Sequence, residues 1–484
     1  MAVLGGLSLK HQMALGVFLA ATTLYLFTLA PTITQWHLGA DGAELTATAY
    51  TLGVAHPPGY PTYLLLAKAF SLVVPWGDVA HRVNLFSALS GAGAAALVYY
   101  ITHILIEKAT RTTEVPPPTA SAAAFIAAAS FAISPLFWSQ SILAEVYTLN
   151  ALFTGAVVLL ALRWGTEARE RPWLLLLAGF LMGLGLGNHL TLSFLTLPLG
   201  YYLWLHRGHL TRGLMVKALG AFILGLSVYL YLPLRASENP PINWGDAATL
   251  EGFLWTVSAA PYRELAFGLP LADLPGRMTE WADVLLRQFN ALGLLIGLIG
   301  IWRLRVDSLP LLVFTGLLFM TCLIYSAMYH TPDAKVYLLP AIMAFAWWIG
   351  LGFYWLANLA VQLIAVRERL PQFLPVTLPL VALLALPGLN LLLNYQGISL
   401  KGDRASLAYA QGIFQQVERD ALILADTERE LFPLWYYRYV EEEGRGPMVL
   451  STRLTQFDWY VRGQHGRYPE VVPADVIGAY GTRL

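Results

Sequence analysis

Residues 31–61 read PTITQWHLGADGAELTATAYTLGVAHPPGYP, and within this stretch lie two polar signatures, Asp41-Gly42-Ala43-Glu44 and His56-Pro57-Pro58-Gly59-Tyr60-Pro61. If residues 42 to 54 form a short interfacial helix, Asp41 sits at its N-terminus and Glu44 one turn on, so both carboxylates face the same way. Taken alone, such a pair reads as a helix cap and a solvated acid. The proline-rich turn beside it changes that reading. Three prolines and a glycine within six residues make a rigid, helix-breaking turn between two apolar segments, which holds the loop in place.

Working outward, the chain around this loop is apolar. It is 57% hydrophobic and 12% charged over 484 residues, with a formal net charge of zero, far from the balance of a soluble globular chain. Runs of about twenty apolar residues, the length that crosses a hydrocarbon core as a helix, occur at 12 to 30, 83 to 106, 120 to 137, 146 to 163, 173 to 188, 190 to 205, 214 to 234, 284 to 302, 309 to 328, 337 to 363 and 373 to 394. They predict a mainly α, polytopic membrane protein with about eleven spans. The first run is read as a retained anchor rather than a signal peptide. The 15 Trp, 24 Tyr and 22 Phe suit interfacial belts. No basic, aromatic-interleaved face follows a phosphate backbone, so no nucleic-acid partner is expected. The single cysteine, Cys322, lies in an apolar run and reads as a core hydrophobe.

Lys and Arg in the connections set the orientation. Lys10, Lys108 with Arg111, Arg163, Arg169, Arg171, Arg207, Arg212, Lys217, Arg303, Arg305, Arg367 and Arg369 all fall on one side, which is read as the cytoplasm. The opposite side then carries two long loops, 31 to 82 and 235 to 283, where function is expected. The transmembrane domain is placed at 1–395. Beyond it, roughly a third of all charged residues gather. Residues 396–484 read as a small extracytoplasmic α/β domain, with helices near 404 to 417 and 428 to 442, strands at 421 to 425 and 448 to 451, and a Trp- and Tyr-bearing helix after them.

The anchor helix, the acidic motif and the His-Pro-Pro-Gly turn together resemble the protein O-mannosyltransferase-like branch of the GT-C glycosyltransferases. Further strings look like that branch: Arg82-Val83-Asn84-Leu85-Phe86-Ser87, Ala144-Glu145-Val146-Tyr147-Thr148-Leu149-Asn150, Asn188-His189-Leu190-Thr191, Tyr231-Leu232-Pro233-Leu234-Arg235-Ala236 and Asn243-Trp244-Gly245-Asp246. The resemblance covers roughly residues 12 to 395. It implies a GT-C-like bundle, a polyprenyl-phosphate-linked, mannose-like sugar as donor, an acidic residue of the first loop as base, and a protein or glycan acceptor. One departure is that Asp41 and Glu44 are not adjacent, as the acids of the eukaryotic protein mannosyltransferases are.

The chemistry can be stated independently of the family. Transfer to a hydroxyl needs a base for the acceptor proton, a path to an oxocarbenium-like transition state, and stabilisation of the departing phosphate. Asp41 is read as the base, with Glu44 beside it in the catalytic pair. Glu44 and Glu145 are expected to orient the acceptor or the sugar, and His56 to rigidify the loop. Arg82, Arg235, Arg263 and Lys335 are the cations expected outside the membrane for the phosphate, Lys335 sharing a short turn with Asp333. Asn84, Tyr147, His189 and Trp244 join the candidate donor-binding residues through the family-like strings. No metal or other cofactor is demanded, although Asp41, Glu44 and His189 could converge. A lipid or lipid-linked sugar flippase is the alternative reading. It is disfavoured because polar residues cluster in the loops rather than at span centres and no inverted repeat is seen.

Overall fold

The computed structural model describes residues 8–110, 117–365 and 374–473; the basic positions Arg111, Arg367 and Arg369 lie outside the described residues. The protein is a mainly helical, multi-pass integral membrane protein. Among the described residues, seven helices are long and apolar enough to cross a membrane: Leu9–Thr28, Val79–Thr110, Tyr147–Glu167, Arg212–Ala236, Leu271–Asp307, Leu309–Met328 and Ala334–Ala360. The runs expected at 120 to 137, 173 to 188 and 190 to 205 form the shorter apolar helices Thr119–Ala132, Trp173–Leu186 and Leu190–Leu205. The last run is the helix Leu374–Ile398, which continues past the boundary expected at 395.

The helix beginning at Leu339 is the hub, with Ala341, Ile342, Ala344, Ala346, Trp347 and Ile349 fully buried. It is hydrophobic on all sides because it has helices on all sides. Helices approach to backbone contact where glycine removes the side chain. A Cβ on Gly300 would collide with the Trp348 carbonyl, and one on Gly352 with the Ile296 carbonyl. Close approach through small residues is how membrane helices pack when lipid is as apolar as they are.

The first loop holds two helices. Asp41–Thr51 is the expected short helix, and Pro61–Val73, a second apolar helix, follows the proline turn. Between them Val54 forms an isolated parallel bridge with Asn243, through Val54 N–H to Ile242 O at 2.9 Å and Trp244 N–H to Val54 O at 3.2 Å. The two long loops are thus sewn to one another. The approach requires Gly53, because a Cβ there would collide with the Ile242 carbonyl. Gly53→Ala is expected to lower stability by about 1–3 kcal/mol, the usual cost of overpacking, read as a drop in melting temperature of the purified protein.

The second loop ends earlier than 283, since its last part is helix from Leu274 onward. Arg277, Glu280, Asp283 and Arg287 pair along that first stretch at helical spacing, which an apolarity search passes over. Beyond residue 398, the helices Ala405–Gln416, Glu428–Tyr436 and Asp458–Arg467 surround two short parallel strands, Leu422–Ala425 and Met448–Ser451. This unit is not set apart. Leu431, Trp435, Tyr436 and Trp459 share one apolar core with Ala43, Ala47 and Ala80 of the first loop and Trp244 and Trp255 of the second.

Candidate active site

The helix Asp41–Thr51 starts without a side-chain cap, and Asp41 lies inside it rather than ahead of it. The capping role open to Asp41 from the sequence is therefore not filled. Gly42 sits against the Ala144 carbonyl, where a Cβ would come within 2.7 Å. This seats the acidic end of the helix on the 141–146 connection.

One turn on, Glu44 is fully buried, at 0% side-chain exposure. Its two oxygens are both engaged by His56. Oε1 accepts the His56 backbone N–H at 2.9 Å and Oε2 lies 2.7 Å from Nδ1. The other ring nitrogen, Nε2, is 3.0 Å from the Tyr60 hydroxyl and 3.8 Å from Asp41 Oδ2. Burial opposes the imidazolium, but the carboxylates of Glu44 and Asp41 outweigh it and hold the His56 pKa up at about 10. His56 is thus a cation between two acids at neutral pH. Glu44, read as the second acid of the catalytic pair, meets His56 with both oxygens and positions it.

Asp41 behaves differently. Its side chain is 36% exposed, but it lines a cavity and is enclosed by protein. Burial is the main cause that pushes its pKa up to about 7, against the pull of His56 and with help from Glu428, Glu44 and Asp333. A carboxylate with that pKa can take a proton near neutral pH and release it again.

The cavity has a volume of about 570 Å3. Of the residues singled out in the sequence, Asp41, His56, Tyr147, His189, Arg263 and Asp333 line it. Its aromatic wall stacks Tyr60 on His189 (ring centroids 6.0 Å apart), with Tyr147 at 5.6 Å and Tyr337 at 5.9 Å from the same imidazole. His189 Nδ1 accepts the Thr191 backbone N–H at 3.2 Å, so the proton of the neutral ring is on Nε2. Burial, then the charge of His56, push its pKa down to about 3.

Several expected residues stand elsewhere. Arg82 donates to the backbone oxygens of Ser71, Trp76 and Gly77, and Asn84 ties its helix to the start of the loop through Ala30 O and Thr32 O. Arg235 Nε donates to Leu52 O at 2.7 Å, and Lys335 bears on His37 rather than on the cavity. Arg82, Asn84 and Arg235 meet carbonyls that helix ends and tight turns leave unpaired. Glu145, 2% exposed, is buried behind the wall, and burial with the nearby Asp41 charge pushes its pKa well up. Trp244 is 7% exposed and meets His56 edge-on at 6.1 Å, from outside the cavity. The family-like strings therefore act mainly as clamps: Asn150 donates to Thr191 Oγ1 and Asn188 to Val146 O.

Sequence reading missed Tyr60, Tyr262, Glu428, Arg429 and Phe432, all of which line the cavity. Tyr60 had a signal, four residues past His56 in a turn already held to be rigid. Glu428, Arg429 and Phe432 had none, being brought over by the shared apolar core. Among the described residues no group of three or more His, Cys, Asp or Glu is arranged to hold a metal ion.

Comparison with known proteins gives the following. Residues 41–212 match a family model described as the N-terminal domain of protein O-mannosyl-transferase TMEM260. The chain is 27% identical over 473 residues to protein O-mannosyl-transferase TMEM260 of Mus musculus, across 93% of this chain and 63% of that one. It is 27% identical over 336 residues to the Dictyostelium discoideum protein of that name, across 65% of this chain and 39% of that one. The chain thus spans less than two thirds of the length of these curated relatives. Among solved structures it is similar to ArnT from Cupriavidus metallidurans bound to undecaprenyl phosphate, with a TM-score of 0.55 and 14% identity over 95% of this chain and 94% of that one. It is also similar to the archaeal oligosaccharyltransferase AglB from Archaeoglobus fulgidus, in complex with an inhibitory peptide and a dolichol-phosphate, with a TM-score of 0.53 and 13% identity over 96% of this chain and 68% of that one. The resemblance carried by the sequence strings holds in sequence and in fold.

Proposed function

We propose that this chain acts as the protein O-mannosyltransferase-like GT-C glycosyltransferases it resembles, transferring a mannose-like sugar from a polyprenyl-phosphate carrier to an acceptor hydroxyl, a Ser or Thr of protein, on the extracytoplasmic face. The observation that carries this reading is Asp41, a carboxylate poised near pH 7 on the wall of a cavity that also presents Arg263 and Arg429. In the step proposed, the acceptor oxygen attacks the anomeric carbon while its proton passes to Asp41. The bond from that carbon to the phosphate oxygen breaks, and the electron pair leaves with the polyprenyl phosphate. His56, fixed by Glu44, orients Asp41 and adds positive charge to the wall. The step calls for no metal.

Reconstitution with polyprenyl-phosphate sugars tests the reading. Donor-dependent labelling of an acceptor supports it; donor movement across the bilayer without cleavage replaces it with a flippase. The rate should also depend on pH in one direction. A base must be unprotonated, so kcat/KM is expected to rise with pH through about 7 and then level, falling about tenfold per unit on the acidic side. An ascending limb near pH 4 would mean that a well-hydrated carboxylate is the base.

The leaving phosphate needs cations within the cavity. Arg263→Ala and Arg429→Ala are each expected to lower the rate on the order of 100-fold, the usual loss for one electrostatic donor, with little change in melting temperature, since both are exposed to the cavity. Arg235→Ala is expected to act on stability instead, because its Nε caps the Leu52 carbonyl.

A further inference from the structure

The turn that follows His56 contains a tyrosine in an unusual backbone conformation. Tyr60 has φ +46°, in the left-handed region that a bulky side chain rarely adopts. Such a conformation persists only where the surroundings hold it, and positions of this kind gather at functional sites. Here the neighbours hold it. The Thr62 N–H donates to Gly187 O at 3.0 Å and the Leu64 N–H to Tyr60 O at 3.0 Å, while the ring stacks on His189 and meets His56 edge-on at 5.0 Å. Tyr60 is 7% exposed, and it lines the cavity together with Asp41.

The direction of its hydroxyl hydrogen follows from His56. Nδ1 donates to Glu44 Oε2 at 2.7 Å, and Asp41 Oδ2 lies 3.8 Å from Nε2. Two carboxylates thus hold the imidazole in its cationic form, with a proton on each nitrogen and no lone pair to offer. At the 3.0 Å contact with Nε2 the Tyr60 oxygen therefore accepts, and its own hydrogen points elsewhere. Among the described residues no group takes that hydrogen. A hydroxyl that accepts from a cation is a stronger donor than a free one, because the bonds of a hydrogen-bonded chain polarise one another. Around one imidazole nitrogen the cavity wall therefore carries both a carboxylate that can take a proton and a hydroxyl that can offer a hydrogen bond.

We infer that Tyr60 is a further catalytic residue, whose hydroxyl, polarised by His56, donates a hydrogen bond to a non-bridging phosphate oxygen of the sugar donor. The inference rests on the transfer reading of this cavity. The bond stabilises the charge that gathers on the phosphate as it leaves. No proton changes hands at Tyr60: the bond from the anomeric carbon to the phosphate oxygen breaks with its electron pair going to the phosphate, and the acceptor proton goes to Asp41. The same hydrogen bond made to the attacking oxygen would draw electron density from the nucleophile, so the departing phosphate is the group that gains from it. A donor fixed where negative charge develops acts more strongly in the transition state than on the bound substrate.

Tyr60→Phe in the full chain, purified in lipid nanodiscs, tests this. The ring and its stacking on His189 are kept and only the oxygen is lost. With a polyprenyl-phosphate sugar, kcat is expected to fall on the order of 100-fold while KM changes less than about threefold. Binding of farnesyl phosphate, which presents the leaving group without the sugar, should weaken about tenfold by calorimetric titration, the loss of one hydrogen bond to a charged group. That titration needs no turnover. Weaker binding in Tyr60→Phe therefore supports the contact even if the wild type cleaves no donor, an outcome that would overturn the transfer reading alone. Unchanged binding of farnesyl phosphate overturns the inference whatever the turnover. So does a variant that keeps its plateau rate while the acidic limb near pH 7 moves, since Tyr60 would then act only by holding His56.

Discussion

Asp41→Asn yields a folded, inserted protein that still binds donor but transfers sugar roughly 100- to 10,000-fold more slowly, the range commonly supplied by a positioned general base. Asn has nearly the same shape, and Asp41 makes no capping bond that the amide would have to replace. Its exposure is to the cavity, so no buried hydrogen bond is lost either. What disappears is the ability to accept a proton near neutral pH. Turnover of purified protein with a polyprenyl-phosphate sugar, alongside its melting temperature, checks both halves. Wild-type turnover in this variant would remove Asp41 from the chemistry.

Glu44→Ala is expected to have the opposite profile, with stability lost first. Glu44 and His56 form an ion pair whose side chains are 0% and 9% exposed, with a second bond to the His56 backbone. Removing one partner of a buried pair leaves the other charge uncompensated and typically costs about 3–5 kcal/mol. Glu44→Gln should do less harm, because its amide oxygen can still accept one of the two bonds and the Asp41 carboxylate remains 3.8 Å from the imidazole. Thermal unfolding of the two variants separates these cases. If Glu44→Ala melts as wild type but is inactive, Glu44 acts on substrate and not through His56.

Helices were legible in the sequence because apolar length is a local property, and each predicted run contains a helix, with breaks such as Ile133–Ser134 inside the run at 120 to 137. The helix Pro61–Val73 escaped notice because a thirteen-residue apolar segment after a proline turn is too short to stand out as a span. Within the site, Asp41 and His56 could be found because acid, histidine and prolines are adjacent in the chain. For Glu44, helical spacing gave a direction shared with Asp41 but not what stands in front of it; His56 occupies that place. Arg235 was chosen as an external cation near a span end, and carbonyl capping at a helix end uses the same residue type at the same place. Glu428 and Arg429 were unreadable, since a charged pair opening a helix in a polar tail is the ordinary solvated case until tertiary packing carries it to the cavity.

The core shared by the Asp41–Thr51 helix and the tail has a consequence for how such sequences diverge. Ala43 and Ala47 pack in one cluster with Leu431, Phe432 and Trp435, so a larger residue on the acidic helix can be accepted only with a smaller one on the tail. Substitutions at these distant positions should therefore covary among relatives. The tail would then be inherited with the acidic loop as a single unit, and exchanging it between relatives without the matching loop should misplace Asp41.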